Sequence, residues 1–179
     1  MAFIGEFSAI GAAFLWSFSS FLFTSATIKL GSMQLNIDRM AIAAFLLVLT
    51  IWIFNISYDI NTAQFIWLTL SGIAGLVVGD TFLFKSFSMI GPRVSMLIMS
   101  GNPAIAAMMA YLLLGETLSL WNVLGIAVTL SGISMVILER PMTPSTKFRI
   151  TKLGVFYGFL GASGQAIGLI LAKMAYHEG

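Results

Sequence analysis

Asp80 is the ionisable residue whose position is least expected in so apolar a chain. It follows an apolar run that contains regularly spaced glycines, namely Gly72, Gly75 and Gly79. A charged side chain at membrane depth costs several kcal/mol unless it is paired or hydrated. Lys85, five residues further on, and Lys173, much later in the chain, are the predicted compensating cations. Asp80 is therefore half of a structural ion pair, a protonatable coupling site, or a carboxylate in interfacial water.

Four hydroxyl side chains near the N-terminus recur at steps of three and four, which places them on one face of a helix. They are Ser17, Ser20, Thr24 and Thr27, and Trp16 precedes the first of them. A polar face of this kind contacts protein or water. It either lines a solute pathway or makes interhelical hydrogen bonds of about 0.6 kcal/mol each.

Gln165 lies in the last apolar run, within a stripe of small residues that favours close helix packing. The stripe consists of Gly154, Gly158, Gly161, Gly168 and Ala172. A buried amide without a partner is costly. Gln165 is therefore a candidate contact for a solute.

The residue types that most enzymes need are missing or scattered. The chain has no cysteine, and its single histidine, His177, lies near the C-terminal end. No two carboxylates share a helix face and no metal-ligand spacing occurs, so we predict neither catalytic residues nor a metal site. The phosphate-binding pattern G-x-x-x-x-G-K-[ST] is absent, and no cofactor is predicted. A net charge of +2 without blocks of like charge excludes a nucleic-acid partner.

Six uncharged apolar runs contain or flank these polar residues. They cover residues 7–28, 40–58, 60–79, 94–115, 117–138 and 153–172. Each has about 20 residues, enough for an α-helix to cross a hydrocarbon core of about 30 Å. The chain is 59% hydrophobic and 9% charged, against about 25% charged in soluble domains. Because the runs are continuous rather than alternating, the sequence predicts an all-α integral membrane protein, a bundle of about six transmembrane helices.

Basic residues are concentrated in alternate gaps between the runs. All except Lys173 lie in residues 29–39, 80–93 and 139–152, whereas the other gaps contain Asp59 and Glu116. The positive-inside rule places the basic gaps in the cytoplasm and both termini outside a multi-pass protein of the cell membrane. Alternatively, Arg39 and Lys85 lie within helix ends.

A basic polar linker, residues 141–152, divides the chain, and its prolines oppose helix formation. The run beyond it resembles the first run when Ser163 is aligned with Ser17. A five-helix unit that starts again near Leu153 would be inverted relative to the first, as in many secondary transporters.

An ordered set of residues between Gly79 and Arg140 carries a resemblance to a known family. The set is a proline inside the fourth helix, a Gly-Glu pair at its end and a glycine-rich fifth helix: Pro103, Gly115, Glu116, Gly125 and Gly132. Trp16 and Arg39, which opens the second helix, fit the same pattern. In these positions the chain resembles the EamA-type domain of the drug/metabolite transporter superfamily. The resemblance implies one five-helix repeat in residues 5–140 and, in residues 153–179, the first helix of a second, incomplete repeat.

Two of these positions have direct structural consequences. Pro103 removes an intrahelical hydrogen bond, so we expect a kink near Asn102 that serves as a hinge or only shapes packing. Asn102 is also a candidate contact for a solute or a coupling ion. Gly115 ends the fourth helix, and Glu116 is placed to cap the fifth.

These features favour a secondary transporter, a permease or exporter of small metabolites, amino acids or drug-like solutes across the cell membrane. An ion gradient or the solute gradient would drive it, with Asp80 as the predicted proton-coupling residue. The expected partners are a small-molecule solute and the lipid bilayer, together with the missing second-repeat helices or a homodimer partner. The alternatives are a partner-dependent or inactive membrane fragment and, less favoured, an intramembrane enzyme.

Overall fold

The computed structural model describes residues 4–56, 60–115, 117–138 and 148–177, and all regular structure in these ranges is helical. The elements are α1 (Ile4–Leu30), α2 (Ser32–Phe54), α3 (Thr62–Gly72), a π-helical segment (Ile73–Gly79), α4 (Asp80–Met99), α5 (Asn102–Leu114), α6 (Leu120–Leu138) and α7 (Lys152–His177). Four stretches are long and apolar enough to cross a membrane: Gly5–Leu30, Ser32–Phe54, Thr62–Met99 and Lys152–His177. Shorter apolar helices cover α5 and most of α6. The predicted all-α membrane bundle is therefore confirmed.

The long stretch Thr62–Met99 reverses direction at Gly91. Ser86 and Ser95 would lie about 13 Å apart along a straight helix, yet their hydroxyl oxygens are 2.8 Å apart. Gly91 adopts φ 80° and ψ 167°, a conformation that residues with a Cβ rarely adopt. A Cβ at Gly91 would also lie 2.8 Å from Cδ2 of Phe148. Residues 80–90 and 92–99 therefore belong to separate passes of the chain.

The next pass is interrupted at Ser100 and Gly101. The helix ends at Met99, and α5 begins at Asn102 with Pro103 in its first turn. The kink was expected near Asn102. The structure has a break between two helices at Ser100 and Gly101, with Pro103 in the first turn of α5, where proline fits. A hinge role for Pro103 stays a prediction. Gly115 ends α5 in the left-handed conformation, φ 66°. Glu116 lies outside the described residues, so its predicted cap stays a prediction.

Two of the predicted gaps are largely helical, which corrects the sequence-based boundaries. Only Gly31, with φ 87°, separates α1 from α2, so Arg39 lies within α2 and does not open it. Residues 80–90 likewise continue the third pass. Charges mark helix ends only where they face water, and the alternative that placed Arg39 and Lys85 inside helices is the one confirmed.

The bundle buries many small side chains and a few large apolar ones, and it exposes most of its large apolar side chains. Helix α7 packs against α3, the π segment, α4 and α5, while α1 and α2 pack on α4. An apolar core forms around Phe84 and Phe87 of α4. Trp52 and Trp121 are 78% and 80% exposed. An outer surface of this kind suits lipid, where apolar side chains need no burial.

Candidate functional site

Glycines allow α7 to cross the π segment at close range. A Cβ at Gly164 would lie 2.8 Å from the Cα of Gly79, and one at Gly168 would lie 2.9 Å from the Cα of Gly75. The Ser71 hydroxyl donates to the carbonyl oxygen of Gly168 at 2.7 Å. The small-residue packing predicted for the last helix is thus confirmed. It brings α7 directly against the residues that precede Asp80.

Asp80 is buried where the π segment passes into α4. Its side chain is 1% exposed, and α2 and α7 both pack near it. Gly91 lies 11 residues further along the same helix, which corresponds to about 16 Å. A carboxylate buried among apolar helices requires compensation from the protein.

Arg39 and Gln165 provide that compensation from two different helices. A guanidinium nitrogen of Arg39, on α2, donates to one carboxylate oxygen of Asp80 and forms an ion pair with it. The side-chain amide of Gln165, on α7, donates to the other oxygen. Both carboxylate oxygens therefore have donors, as a buried charge requires.

Asn36 links α2 to the π segment. Its amide nitrogen donates to the carbonyl oxygen of Leu76 at 2.8 Å and lies 3.3 Å from that of Val77 and 2.9 Å from the Thr81 hydroxyl. Its own oxygen accepts from Arg39 at 3.1 Å. π-helical turns are rare and frequently occur at functional sites. Here the Asn36 side chain donates to carbonyl oxygen atoms of the π segment and accepts a hydrogen bond from the Arg39 guanidinium. We call Asn36, Arg39, Asp80 and Gln165 the Asp80 cluster.

Arg39 is the one member of the charged pair that is partly accessible. Its side chain is 23% exposed, and its guanidinium carbon lies 5.5 Å from the centroid of the buried Phe84 ring, within cation–π range. Among the described residues, Nε of Arg39 has no hydrogen-bond acceptor although that atom is buried. The guanidinium therefore retains unused hydrogen-bonding capacity.

The structure corrects two expectations for Asp80. The cation that pairs with it is Arg39, 41 residues away, because α2 faces α4 at this depth. Lys85 instead lies exposed on the outer side of α4, and Lys173 is half-buried on α7. The alternative of a carboxylate in interfacial water is wrong, since Asp80 is buried within the bundle.

The hydroxyl stripe of α1 is buried in part, and among the described residues it makes no hydrogen bond to the Asp80 cluster. Ser20 and Thr24 donate to carbonyl oxygens of α1 itself, at 2.7 Å each, and not across helices. Ser17 does the same at 2.8 Å and is exposed, as is Trp16. The Thr27 hydroxyl is buried without a partner among the described residues. A pathway role for Trp16, Ser17 and Ser20 stays a prediction.

A second polar region lies beside the break between α4 and α5. An open cleft of about 310 Å³ is lined by Ser100, Pro103, Ala104, Ala107, Asn122, Gly125, Ile126 and Thr129. Asn102, a predicted contact residue, is half-buried. It directly precedes the lining residue Pro103 in the sequence but does not itself line the cleft. The cleft shares no lining residue with the Asp80 cluster.

The sequence analysis did not predict the two cluster members on α2: Asn36 was not considered, and Arg39 was used only as a basic residue of a gap and as a family-pattern residue at a helix start. Asn36 and Arg39 lie three residues apart, on one face of α2, in a segment that was assigned to a cytoplasmic gap. The polar i, i+3 pair directly before an apolar run was the available signal. Gln165 was identified because its amide lacked a predicted partner, and in the structure that amide donates a hydrogen bond to Asp80.

Comparison with known protein families identifies the family of this chain. Residues 3–138 match the EamA-like transporter family, which is about three quarters of the 179 residues. No curated protein and no solved structure matches the chain significantly. The matched range includes Arg39 and Asp80, whereas Gln165 lies beyond it.

Proposed function

Because the chain belongs to the EamA-like transporter family, of the drug/metabolite transporter superfamily, we propose that it is a secondary transporter of small organic solutes. Metabolites, amino acids and drug-like compounds are the solute classes in question. An ion gradient or the gradient of the solute itself drives the process.

One observation carries this proposal: the Asp80 cluster joins three helices near the middle of the bundle. Arg39 comes from α2, Asp80 from α4 and Gln165 from α7. Ionisable groups within a membrane bundle typically mark solute or ion pathways, and transporters bind their cargo near the midplane. Gln165 also connects the family-matched region to the helix that follows it, so relative motion of the two would break or form this contact.

We place the protein in the cell membrane with the Gly91 turn and the start of α7 in the cytoplasm. Arg93, Arg149 and Lys152 lie on the exposed surface near that turn, and the contact between Phe148 and Gly91 brings the two segments together. Basic residues on one side support this orientation.

The transporting form includes further helices or a second copy of the chain. Trp16 and Ser17, the predicted pathway residues, lie exposed on α1, where an additional element would cover them. Chemical cross-linking of membranes, followed by native mass spectrometry of the purified protein, distinguishes a monomer from a homodimer.

Solute-dependent thermal stabilisation of the purified protein, followed by uptake into proteoliposomes, tests the transport function. We expect a stabilising solute to be taken up and Asp80→Asn to lower the uptake rate by about tenfold or more, because Arg39 loses its charged partner. Lys85→Gln is the matched control: it removes an exposed charge from the same helix and should leave uptake unchanged.

Equal uptake by the Asp80→Asn variant would remove the Asp80 cluster from the mechanism. Failure of the unaltered protein to transport any solute that stabilises it would favour the partner-dependent or inactive membrane fragment.

A further inference from the structure

We propose that the free side of Arg39 binds a carboxylate group of the transported solute, which competes with Asp80 for the guanidinium. This inference rests on the proposed transport function and names the chemical class of its cargo: small organic anions that carry a carboxylate.

The two members of the ion pair differ in accessibility. The Arg39 side chain is 23% exposed and that of Asp80 is 1% exposed. A solute that approaches the pair therefore meets the cation first. An approaching ammonium group would find its partner, the Asp80 carboxylate, already covered by Arg39 and Gln165.

Arg39 also has N–H donors that make no hydrogen bond to the described residues. A guanidinium carries five N–H donors, and among the described residues the hydrogen bonds of Arg39 all use Nη2, to Asp80 and Asn36. Within the described part of the chain, the buried Nε has no acceptor. Because a guanidinium fork matches the two oxygens of a carboxylate, a solute carboxylate would satisfy donors that are now unused.

The guanidinium is held in place before any solute arrives. Asn36 accepts one hydrogen bond from it at 3.1 Å. The centroid of the Phe84 ring lies 5.5 Å from the guanidinium carbon. A positioned donor loses little conformational entropy on binding. The same contacts keep Arg39 beside Asp80 inside the bundle.

Competition between the solute and Asp80 provides a link to helix movement. When a second carboxylate shares the guanidinium, the attraction between Arg39 and Asp80 weakens, and the contact of Asp80 with Gln165 of α7 becomes the stronger of the two by comparison. A solute shifts a conformational equilibrium by its differential affinity for the two states. Here the two states differ in the strength of the Arg39–Asp80 ion pair that joins α2 to α4.

Binding of simple carboxylates and their neutral amides tests the inference directly. The probes are acetate and phenylacetate, with acetamide and phenylacetamide as controls, titrated against the full chain in phosphatidylcholine nanodiscs by calorimetry. We expect the carboxylates to bind and the amides not to bind. Asp80→Asn should lower the Kd for the carboxylates about tenfold, because it removes the competing charge.

Matched variants identify the residue responsible. Arg39→Gln should abolish binding, and Arg39→Lys should lose most of it, since an ammonium group cannot form the bidentate contact. Arg149→Gln, which removes an exposed arginine, should leave the Kd unchanged. Circular dichroism and size-exclusion chromatography establish that each variant is folded.

Three outcomes would overturn the inference. They are equal binding of acid and amide, carboxylate binding that survives Arg39→Gln, and an unchanged or weaker Kd in folded Asp80→Asn.

The same probes separate this inference from the transport function. If phenylacetate binds through Arg39 but radiolabelled phenylacetate is not taken up by proteoliposomes, the transport proposal fails and the carboxylate site stands. If neutral or cationic solutes are taken up and no carboxylate binds, the transport function stands and the site is refuted.

Discussion

At the scale of residues, the Arg39–Asp80 pair compensates two charges at once in the interior of the bundle. An isolated carboxylate or guanidinium taken out of water loses several kcal/mol of solvation, and mutual attraction offsets that loss only when additional hydrogen bonds are present. Asn36 and Gln165 make those bonds. The stability of the pair therefore depends on all four side chains together, and removing one partner is expected to cost more than removing both.

A double-mutant cycle tests this dependence. We expect Arg39→Leu and Asp80→Leu each to lower the free energy of unfolding by about 3 kcal/mol, because each leaves one buried charge unpaired. The double variant should be less destabilised than the sum of the two single variants. Unfolding of the protein in mixed micelles measures all four free energies. Strict additivity would show that the two charges do not interact.

At the scale of elements, the crossing of α7 over the π segment determines where the Asp80 cluster forms. Gly75 and Gly79 on one side and Gly164 and Gly168 on the other allow backbone contact. Without that approach the amide of Gln165 could not reach a carboxylate on α4. Close small-residue packing gains its energy from van der Waals contact, since burial of apolar surface drives little association within lipid. An added methyl group at the crossing is therefore unfavourable.

Two glycine-to-alanine variants separate crowding from helix propensity. Gly164→Ala should destabilise the protein by about 1–3 kcal/mol, because its Cβ would meet the backbone of Gly79 at 2.8 Å. Gly125→Ala on α6, where no atom lies within 4 Å of the new Cβ, should stabilise it by about 0.5–1 kcal/mol. Apparent melting temperatures in detergent report both changes. Shifts of the same sign would contradict the close crossing.

At the scale of the whole molecule, exposed basic residues gather at one turn of the bundle. The Gly91 turn and the start of α7 lie together, because Phe148 contacts Gly91, and exposed basic residues accompany both segments. The charged residues of the Asp80 cluster and the basic residues that support the membrane orientation are therefore different residues with different roles. Arg39 pairs inside the bundle, while Arg93, Arg149 and Lys152 remain on its exposed surface.

Single cysteines test this orientation cleanly, because the chain contains none of its own. Thr117 and Thr151 are both exposed, before α6 and α7 respectively. We expect Thr117→Cys to react with a membrane-impermeant maleimide in intact cells and Thr151→Cys to react only after permeabilisation, because basic loops stay in the cytoplasm. The cysteine-free parent gives the background. The reverse labelling pattern would invert the topology.

The sequence was sufficient for those properties that depend on one segment at a time. The apolar runs predicted membrane-spanning helices because bilayer thickness sets a required length, and Pro103 marked the break between α4 and α5 because proline excludes a helical hydrogen bond. Asp80 and Gln165 were identified because each carries a polar group that lipid cannot satisfy.

Only the tertiary structure decided how those groups are satisfied. Asp80 is compensated by Arg39, 41 residues earlier, and by Gln165, 85 residues later, and no local pattern specifies contacts of that range. For the same reason the boundaries drawn at Arg39 and Asp80 were wrong: a charge ends a membrane helix only when it remains unpaired. Pairing depends on which helices face each other, and glycine-mediated packing of α7 on the π segment, together with the contact of α2 with α4, determines that arrangement.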